Sequence, residues 1–498
     1  MNPIETATLV GEASSVEFDT SVVMEGGKKR VYFTRDKRSV VAFFKDPEWA
    51  QANRNRLTQV VAHYNPTRVG EQYADYWRRL FCWPTHLVTH AECGLGLLLP
   101  TYPEHFFFKS GRLANQEKDG GRYNCTNPST KRLQRYDLIA PEERGTLAGY
   151  LGALSRVARA VHKMHAAGLA HSDLSERNVL VDPVTGHAII IDVDALVVTG
   201  QYPPEVLGTR GFTAPEVMAT RHLPFDDPKR KHACAETDKY ALAVLIYRFL
   251  LERHPLDGPR FLKGLSGDAE EEALMGSKAL YSEHRNDGAN RPKAQFLSAR
   301  ILGKTIDDLF HRTFVDGLLD PRSRPTASSW ADALVEAYDQ VLVCSDPACT
   351  HKGFVLTAAG APRCPYCSTA FRGTFSRMTL SQEGRMHPAP AGLLVLNGFR
   401  NGDGTQLYRH HTHAGAPRGP GQDNTVVAQV VYLERPHPDF YLQNVALPGA
   451  QVRHPSTGAP DFVPFPLLSK VRLVSGLEVR FGLEPEARTG RIETFRYG

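Results

Sequence analysis

Apolar residues change their period along this chain. Leu147, Tyr150, Leu151, Leu154, Val157, Ala158, Val161, Met164 and His165 recur at three- and four-residue intervals, the stripe of a buried amphipathic helix. Residues 238–251, DKYALAVLIYRFLL, are apolar nearly all round and predict a central buried helix, and ASSWADALVEAYDQVLV from 327 predicts an amphipathic helix that closes the helical region. Upstream, VVAFFKD at 40–46 and LGLLLPTYPEH at 95–105 predict buried strands, the second running into a hinge. The polar stretch 109–135 predicts an exposed insertion. From about residue 375 helical spacing gives way to short runs, GLLVLNG, TVVAQVVYL, DFYLQN, SKVRLV and LEVRFG, divided by Gly, Pro, Asn and Asp. Those runs predict a small all-β sandwich or barrel, so the fold class is α+β.

Candidate chemistry concentrates in residues 171–194, HSDLSERNVLVDPVTGHAIIIDVD. Asp173 follows His171 by two and precedes Asn178 by five, and Asp192 follows the apolar run AIII. Alone, such acids could simply face water in a hairpin. However, GTRGFTAPE at 208–216, Asp238 and Arg324 in DPRSRP follow in order. The set resembles a protein kinase: the H-x-D-x-x-x-x-N catalytic loop, the metal strand, the A-P-E segment and the central helix. The resemblance implies a bilobal domain, with the N-lobe and hinge at 1–102 and the C-lobe at 103–339, and ATP and Mg2+ as cofactors. Asp173 is then the base that orients the attacking hydroxyl, and Asn178 and Asp192 hold Mg2+. Lys45 is expected on the α- and β-phosphates, with Ala42, Leu99, Thr101, Tyr102 and Leu180 around the nucleotide. Gly11 is the one glycine kept in GEASSV, where a glycine-rich loop is expected. The acidic partner of Lys45 is unassigned, since Glu48 comes too early and Glu71 lies beyond Pro66.

Several positions depart from the kinase pattern. Ser172 stands where most kinases have arginine, which removes a partner for a phosphorylated activation segment. Ser175 replaces a lysine near the γ-phosphate, and the metal motif is DVD, with Val193 and Asp194. These departures resemble bacterial Ser/Thr kinase-like proteins of the tellurite-resistance-associated and helix-hairpin-helix group, on IIIDVDA, DKYALAVLIYRFLLERHPLDG, SRPTASSW and CPYC in that order. The resemblance covers about residues 1–370. It implies a protein substrate, and a metal-dependent protein phosphatase and a von Willebrand A-like protein as partners. Thr209 matches the threonine that contacts the catalytic aspartate in such enzymes, which favours Ser/Thr substrates. The rival expectation is a pseudokinase scaffold that binds nucleotide weakly and presents the β module.

Composition narrows the setting. The 498 residues, 42% hydrophobic and 23% charged, suit a soluble multidomain protein, and the N-terminus lacks a signal pattern, so a cytoplasmic protein is expected. A net charge of +5 without a basic block gives no reason to propose nucleic acid or membrane. Of eight cysteines, Cys344, Cys349, Cys364 and Cys367 form C-x4-C and C-x2-C pairs that predict a structural Zn2+ ribbon over 340–373, with His351 competing with Cys349 as ligand. The all-β domain at 374–498 ends in strands that resemble a forkhead-associated domain without its arginine-serine-histidine set, so a generic interaction module is favoured over phosphothreonine binding. His410, His411 and His413 fall among Gly and Pro and predict a solvated turn rather than a metal site.

Overall fold

The computed structural model describes residues 3–497 except 72, 125–133, 194–195, 199–200, 203–207, 260–271, 273–275, 277, 294–295, 358–359, 383–384, 387–392, 397–404, 417–424, 435–438 and 458–460. The first lobe is a closed barrel of β1 (Ile4–Leu9), β2 (Ser15–Glu25), β3 (Lys29–Thr34), β4 (Ser39–Phe44), β5 (His86–His90) and β6 (Gly94–Pro100), ordered β1-β2-β3-β4-β6-β5. Strand alternation explains its two faces. Val41 and Phe43 turn inward with Ala7, Leu9, Phe18, Val88 and Leu98, whereas Phe44 packs outward against Ala50 and Leu57. Those last two residues come from helices α1 (Pro47–Ala52) and α2 (Arg54–Ala62). Asp46 caps α1 by accepting from the Trp49 amide at 2.9 Å, and Pro47 begins it where a missing N–H costs nothing.

The second lobe is built on α3 (Leu147–Ala166), α4 (Ala235–Leu251) and α5 (Ala327–Asp339). Thr146 caps α3 through the Gly149 amide at 3.0 Å. A Cβ on Gly149 would lie 1.7 Å from the Pro183 carbonyl oxygen, so the absent side chain lets α3 press onto the turn between β8 (Val179–Asp182) and β9 (His187–Ile190). Leu151, Leu154 and Val161 of α3, Leu242 and Ile246 of α4, and Trp330 and Leu334 of α5 share one core. Between α3 and β8, β7 (Leu169–Ala170) pairs with β10 (Val197–Val198).

The stretch from 109 is not an exposed insertion over its described part. Leu113, Lys118, Tyr123 and Asn124 are buried, and residues 125–133 lie outside the described residues. Lys118 is hidden because Asp182 at 3.2 Å and Glu143 at 3.5 Å neutralise it, so polar composition there conceals a packed segment.

After α5, β11 (Val341–Val343) and β12 (Gly353–Val355) form a hairpin carrying the first cysteine pair. The described strands between Gly373 and Tyr497 then form two antiparallel sheets. Gly373–Gln382 pairs with Thr489–Tyr497 in one, and Val426–Leu433 pairs with Asp439–Asn444 in the other. Met378, Ile492 and Val479 from the first meet Leu407, Val430 and Leu442 from the second in a shared core. The histidines of this region are not solvated: His410, His411 and His413 are all buried, the first two within the helical turn Arg409–Thr412. His411 Nε2 lies 3.2 Å from Asp339 at the end of α5, which joins the β module to the helical lobe. No helix among the described residues is long and apolar enough to cross a membrane.

Candidate active site

The β8–β9 ladder pairs Val179 with Ile190, and the Ile191 amide donates to the Asn178 carbonyl at 3.1 Å. Asn178 and Asp192 therefore emerge at the same end of one hairpin. Both flanks carry backbone in the left-handed region, Ser172 at φ +66° and Asp192 at φ +60°, a conformation that non-glycine residues keep only where surrounding structure imposes it. His171 supplies part of that constraint, its Nε2 lying 3.0 Å from the Ile191 carbonyl oxygen.

Asp173 is held by two donors. The Thr209 hydroxyl donates to Oδ1 at 2.7 Å, and the Asn178 side-chain amide donates to Oδ2 at 3.2 Å and to the Asp173 carbonyl at 2.8 Å. A carboxylate fixed this way can orient and deprotonate a hydroxyl placed against it. A cavity of 90 Å³ opens beside it, lined among others by Ser172, Asp173, Thr209, Phe212, Val217 and Lys231. Because the Asn178 amide nitrogen is committed to Asp173, its side-chain oxygen is the atom suited to a cation. With the half-exposed Asp192 carboxylate it makes an all-oxygen donor set, the chemistry Mg2+ selects.

Three buried anchors fix the surrounding chain. Asp238 of α4 accepts from the His171 amide at 2.7 Å and lies 3.2 Å from His165 Nε2. Arg324 is wholly buried and grips both carboxylate oxygens of Glu216, at 2.8 and 2.7 Å, while also donating to the carbonyls of Gly317 and Glu236. His254 donates from Nε2 to the Gly211 carbonyl at 2.9 Å and accepts the Leu256 amide on Nδ1, and burial, then the nearby Arg248, pulls its pKa down to about 3. Ala214-Pro215-Glu216, Asp238 and Arg324, far apart in sequence, thus converge on one frame.

The expected nucleotide-binding residues are not all gathered. Leu99, Tyr102 and Leu180 share an apolar cluster with Cys82, Phe106 and Ile189, bridging the two lobes. Ala42 is buried opposite Leu97 on β6, and the Thr101 amide is occupied by the Arg38 carbonyl at 3.1 Å. Gly11 lies in the β1–β2 turn, where the Val10 amide donates to the Leu87 carbonyl and Glu12 meets His86. The Lys45 ammonium meets Glu25 at 3.2 Å. It is Lys29, at the start of β3, whose Nζ reaches Asp192 Oδ1 at 3.0 Å. Sequence reasoning passed over Lys29, which sits in GGKKR and resembles any solvated hairpin end. It also passed over Arg56 of α2, buried, with a side-chain N–H donating to the Leu196 carbonyl at 2.9 Å. Asp194 lies outside the described residues.

Residues 141–333 match the family described as "Protein kinase domain". The chain contains a protein kinase domain. Two curated kinases are similar to parts of it: the serine/threonine-protein kinase WNG2 of Toxoplasma gondii, 31% identical over 144 residues, and the DNA damage-responsive serine/threonine-protein kinase RqkA of Deinococcus radiodurans, 32% identical over 119. The matches take in 27% and 23% of this chain but only 26% and 16% of those proteins. Among solved structures, a rhoptry kinase from Toxoplasma gondii aligns with a TM-score of 0.43 and 15% identity over 68% of this chain and 83% of that one. A Toxoplasma gondii rhoptry antigen kinase domain aligns at 0.36 and 16%, over 55% and 79%.

Beyond the kinase domain, the sulfurs of Cys344, Cys349, Cys364 and Cys367 lie within 4.8 Å of one another. Burial pushes the Cys344 and Cys364 thiols up, while at Cys367 burial is outweighed by hydrogen bonds with Thr369 and the thiol falls to about 7. Four soft sulfurs converging on one point suit a tetrahedral thiophilic cation. His351 faces away, stacked on Tyr366 at 3.7 Å with Nε2 3.2 Å from Glu252 of the kinase domain, so Cys349 rather than His351 belongs to the cluster. The His351 carbonyl also accepts the Leu147 amide at the start of α3, while Phe375 and Val395 of the β module pack on the cysteine-bearing hairpin.

Proposed function

We propose that this chain is an ATP- and Mg2+-dependent protein Ser/Thr kinase, transferring the γ-phosphoryl group to a protein hydroxyl. The observation that carries this is Asp173, held between the Thr209 hydroxyl and the Asn178 amide at the mouth of a cavity, beside an Asp192 kept in left-handed backbone. Asp173 orients the acceptor hydroxyl and takes its proton, and Thr209 and Asn178 keep the carboxylate aimed. Asn178, through its oxygen, and Asp192 hold the metal, which when bound neutralises charge on the transferring group. The anchors at Asp238, His254 and Arg324 support this assignment because they fix the loop and the segment that ends in Glu216 before substrate arrives, at no cost during the reaction. The four-cysteine cluster is assigned to structural Zn2+, since four protein sulfurs leave no position for water.

Incubation of purified protein with labelled ATP, Mg2+ and a generic basic protein is the test. Transfer that Asp192→Ala abolishes and Asp173→Asn lowers by about 10²–10⁴-fold supports the assignment. Absence of transfer in the unaltered chain, or transfer indifferent to Asp192→Ala, overturns it.

A further inference from the structure

Two lysines compete for the role of phosphate-binding cation, and the geometry separates them. Along β4, Val41 and Phe43 enter the barrel core while Ala42 and Phe44 take the opposite face. Lys45 follows Phe44 by one residue, so alternation sends it to the other side, where its ammonium meets Glu25. The position from which a lysine on this strand would point at Asp192 is taken by Phe44, buried among Ala50, Leu57 and Leu97.

The charge missing from that position is supplied one strand over. Lys29 is the register partner of Phe44, and residues directly opposite in an antiparallel pair project from the same face. Its Nζ lies 5.9 Å from the Phe44 ring centroid and 3.0 Å from Asp192 Oδ1, across 163 residues of sequence. The side chain is only 16% exposed, although it begins a strand directly after a turn containing Gly26 and Gly27. Holding a long, strongly hydrated side chain in this way costs rotamer freedom.

We propose that Lys29, not Lys45, is the cation that binds the nucleotide phosphates. This rests on the kinase assignment above. The β2–β3 turn, with Gly26 and Gly27, rather than the turn at Gly11, then covers the phosphates. The sequence has moved the ammonium across one rung of the ladder and filled the vacated position with an aromatic ring, so the point reached in space is the same while the strand that supplies it has changed.

The test uses the full chain. In the unaltered protein, amine-reactive labelling read by mass spectrometry, with and without ATP and Mg2+, should show Lys29 protected by nucleotide and Lys45 labelled equally in both. Lys29→Met should weaken binding of a fluorescent ATP analogue by about tenfold or more and lower kcat/KM by about 10²–10³-fold, the loss expected for one positioned charge donor. Lys45→Met should stay within about threefold on both. Phe44→Lys placed in the Lys29→Met background should regain part of the nucleotide affinity, which a merely structural Lys29 could not produce. Protection of Lys45 instead of Lys29, equal labelling of Lys29 with and without nucleotide, or a folded Lys29→Met chain that binds ATP like the unaltered one would overturn the proposal. If Asp192→Ala transfers phosphate at the unaltered rate, the kinase assignment fails, and nucleotide protection still decides the role of Lys29.

Discussion

Arg324→Met tests the frame on which the catalytic loop hangs. The side chain is completely buried and makes four charge-assisted hydrogen bonds, two of them to the paired oxygens of Glu216, with its guanidinium 5.3 Å from the Tyr240 ring centroid. Methionine keeps most of the volume and removes the charge. Glu216, itself only 20% exposed, is then left without its cation, and the carbonyls of Gly317 and Glu236 lose their donor. Removing one partner of a buried pair costs about 3–5 kcal/mol, because the surviving charge stays desolvated. At about 2–4 °C per kcal/mol for a domain of this size, the kinase-domain transition should move down by roughly 6–20 °C. Urea unfolding followed by tryptophan fluorescence suits the measurement, since Trp330 lies in the same core. A second substitution sharpens it. Glu216→Gln in the Arg324→Met background should recover about 1 kcal/mol or more, since the orphaned carboxylate is the source of most of the loss. A single-variant loss below about 1 kcal/mol, or strict additivity of the pair, would refute the claim that this ion pair holds the segment ending in Glu216.

Other outcomes follow from the same geometry. Thr209→Val deletes the donor to Asp173 without changing shape and should lower transfer by about 10–100-fold, while Thr209→Ser retains it; equal rates for Val and Ser in a steady-state assay would show that the hydroxyl does nothing. His254 is neutral in the fold, with a pKa near 3 against 6.5 unperturbed, so the unfolded chain binds the extra proton as pH falls through 6.5. Stability contributed by His254 is thus present above 6.5 and lost toward 3, at roughly 1.4 kcal/mol per pH unit, and urea midpoints between pH 7.5 and 4.5 should fall less steeply for His254→Gln; parallel curves would contradict this. Elemental analysis should find about one zinc per chain at the four-thiolate cluster. Cys364→Ser should lose it and open residues 340–373 to limited proteolysis while nucleotide binding persists, whereas unchanged proteolysis would remove the structural role of the cluster.

What was legible in the sequence was what depends on short spacing. Asn178 and Asp192 flank one hairpin and Asp173 lies five residues before Asn178, so their separation along the chain determines their separation in space. The apolar stripe of α3 was equally local. Lys29 was not legible because its partner is 163 residues away and its own surroundings, two glycines and two lysines, resemble a solvated turn. The signal that could have raised doubt about Lys45 was strand phase: in VVAFFK the lysine lies three residues beyond Ala42 and so on the opposite face. Lys118 and the histidines at 410–413 depart from the sequence expectation in a common way. Polar composition suggests exposure at Lys118 and His411, whereas each is buried against a partner, Asp182 or Asp339, that only the tertiary structure supplies.

Because β1 bonds β2 along its length and β5 at Thr8 and Leu9, the ring of the first lobe is closed at that seam. At that seam a partner cannot dock by adding a strand, so recognition there runs through side chains. Lys29, the first residue of β3, is joined to the ring through its register partner Phe44 on β4. A cross-link between β3 and the β8–β9 hairpin would therefore tether the barrel to the second lobe at the Lys29–Asp192 contact with a single covalent bond.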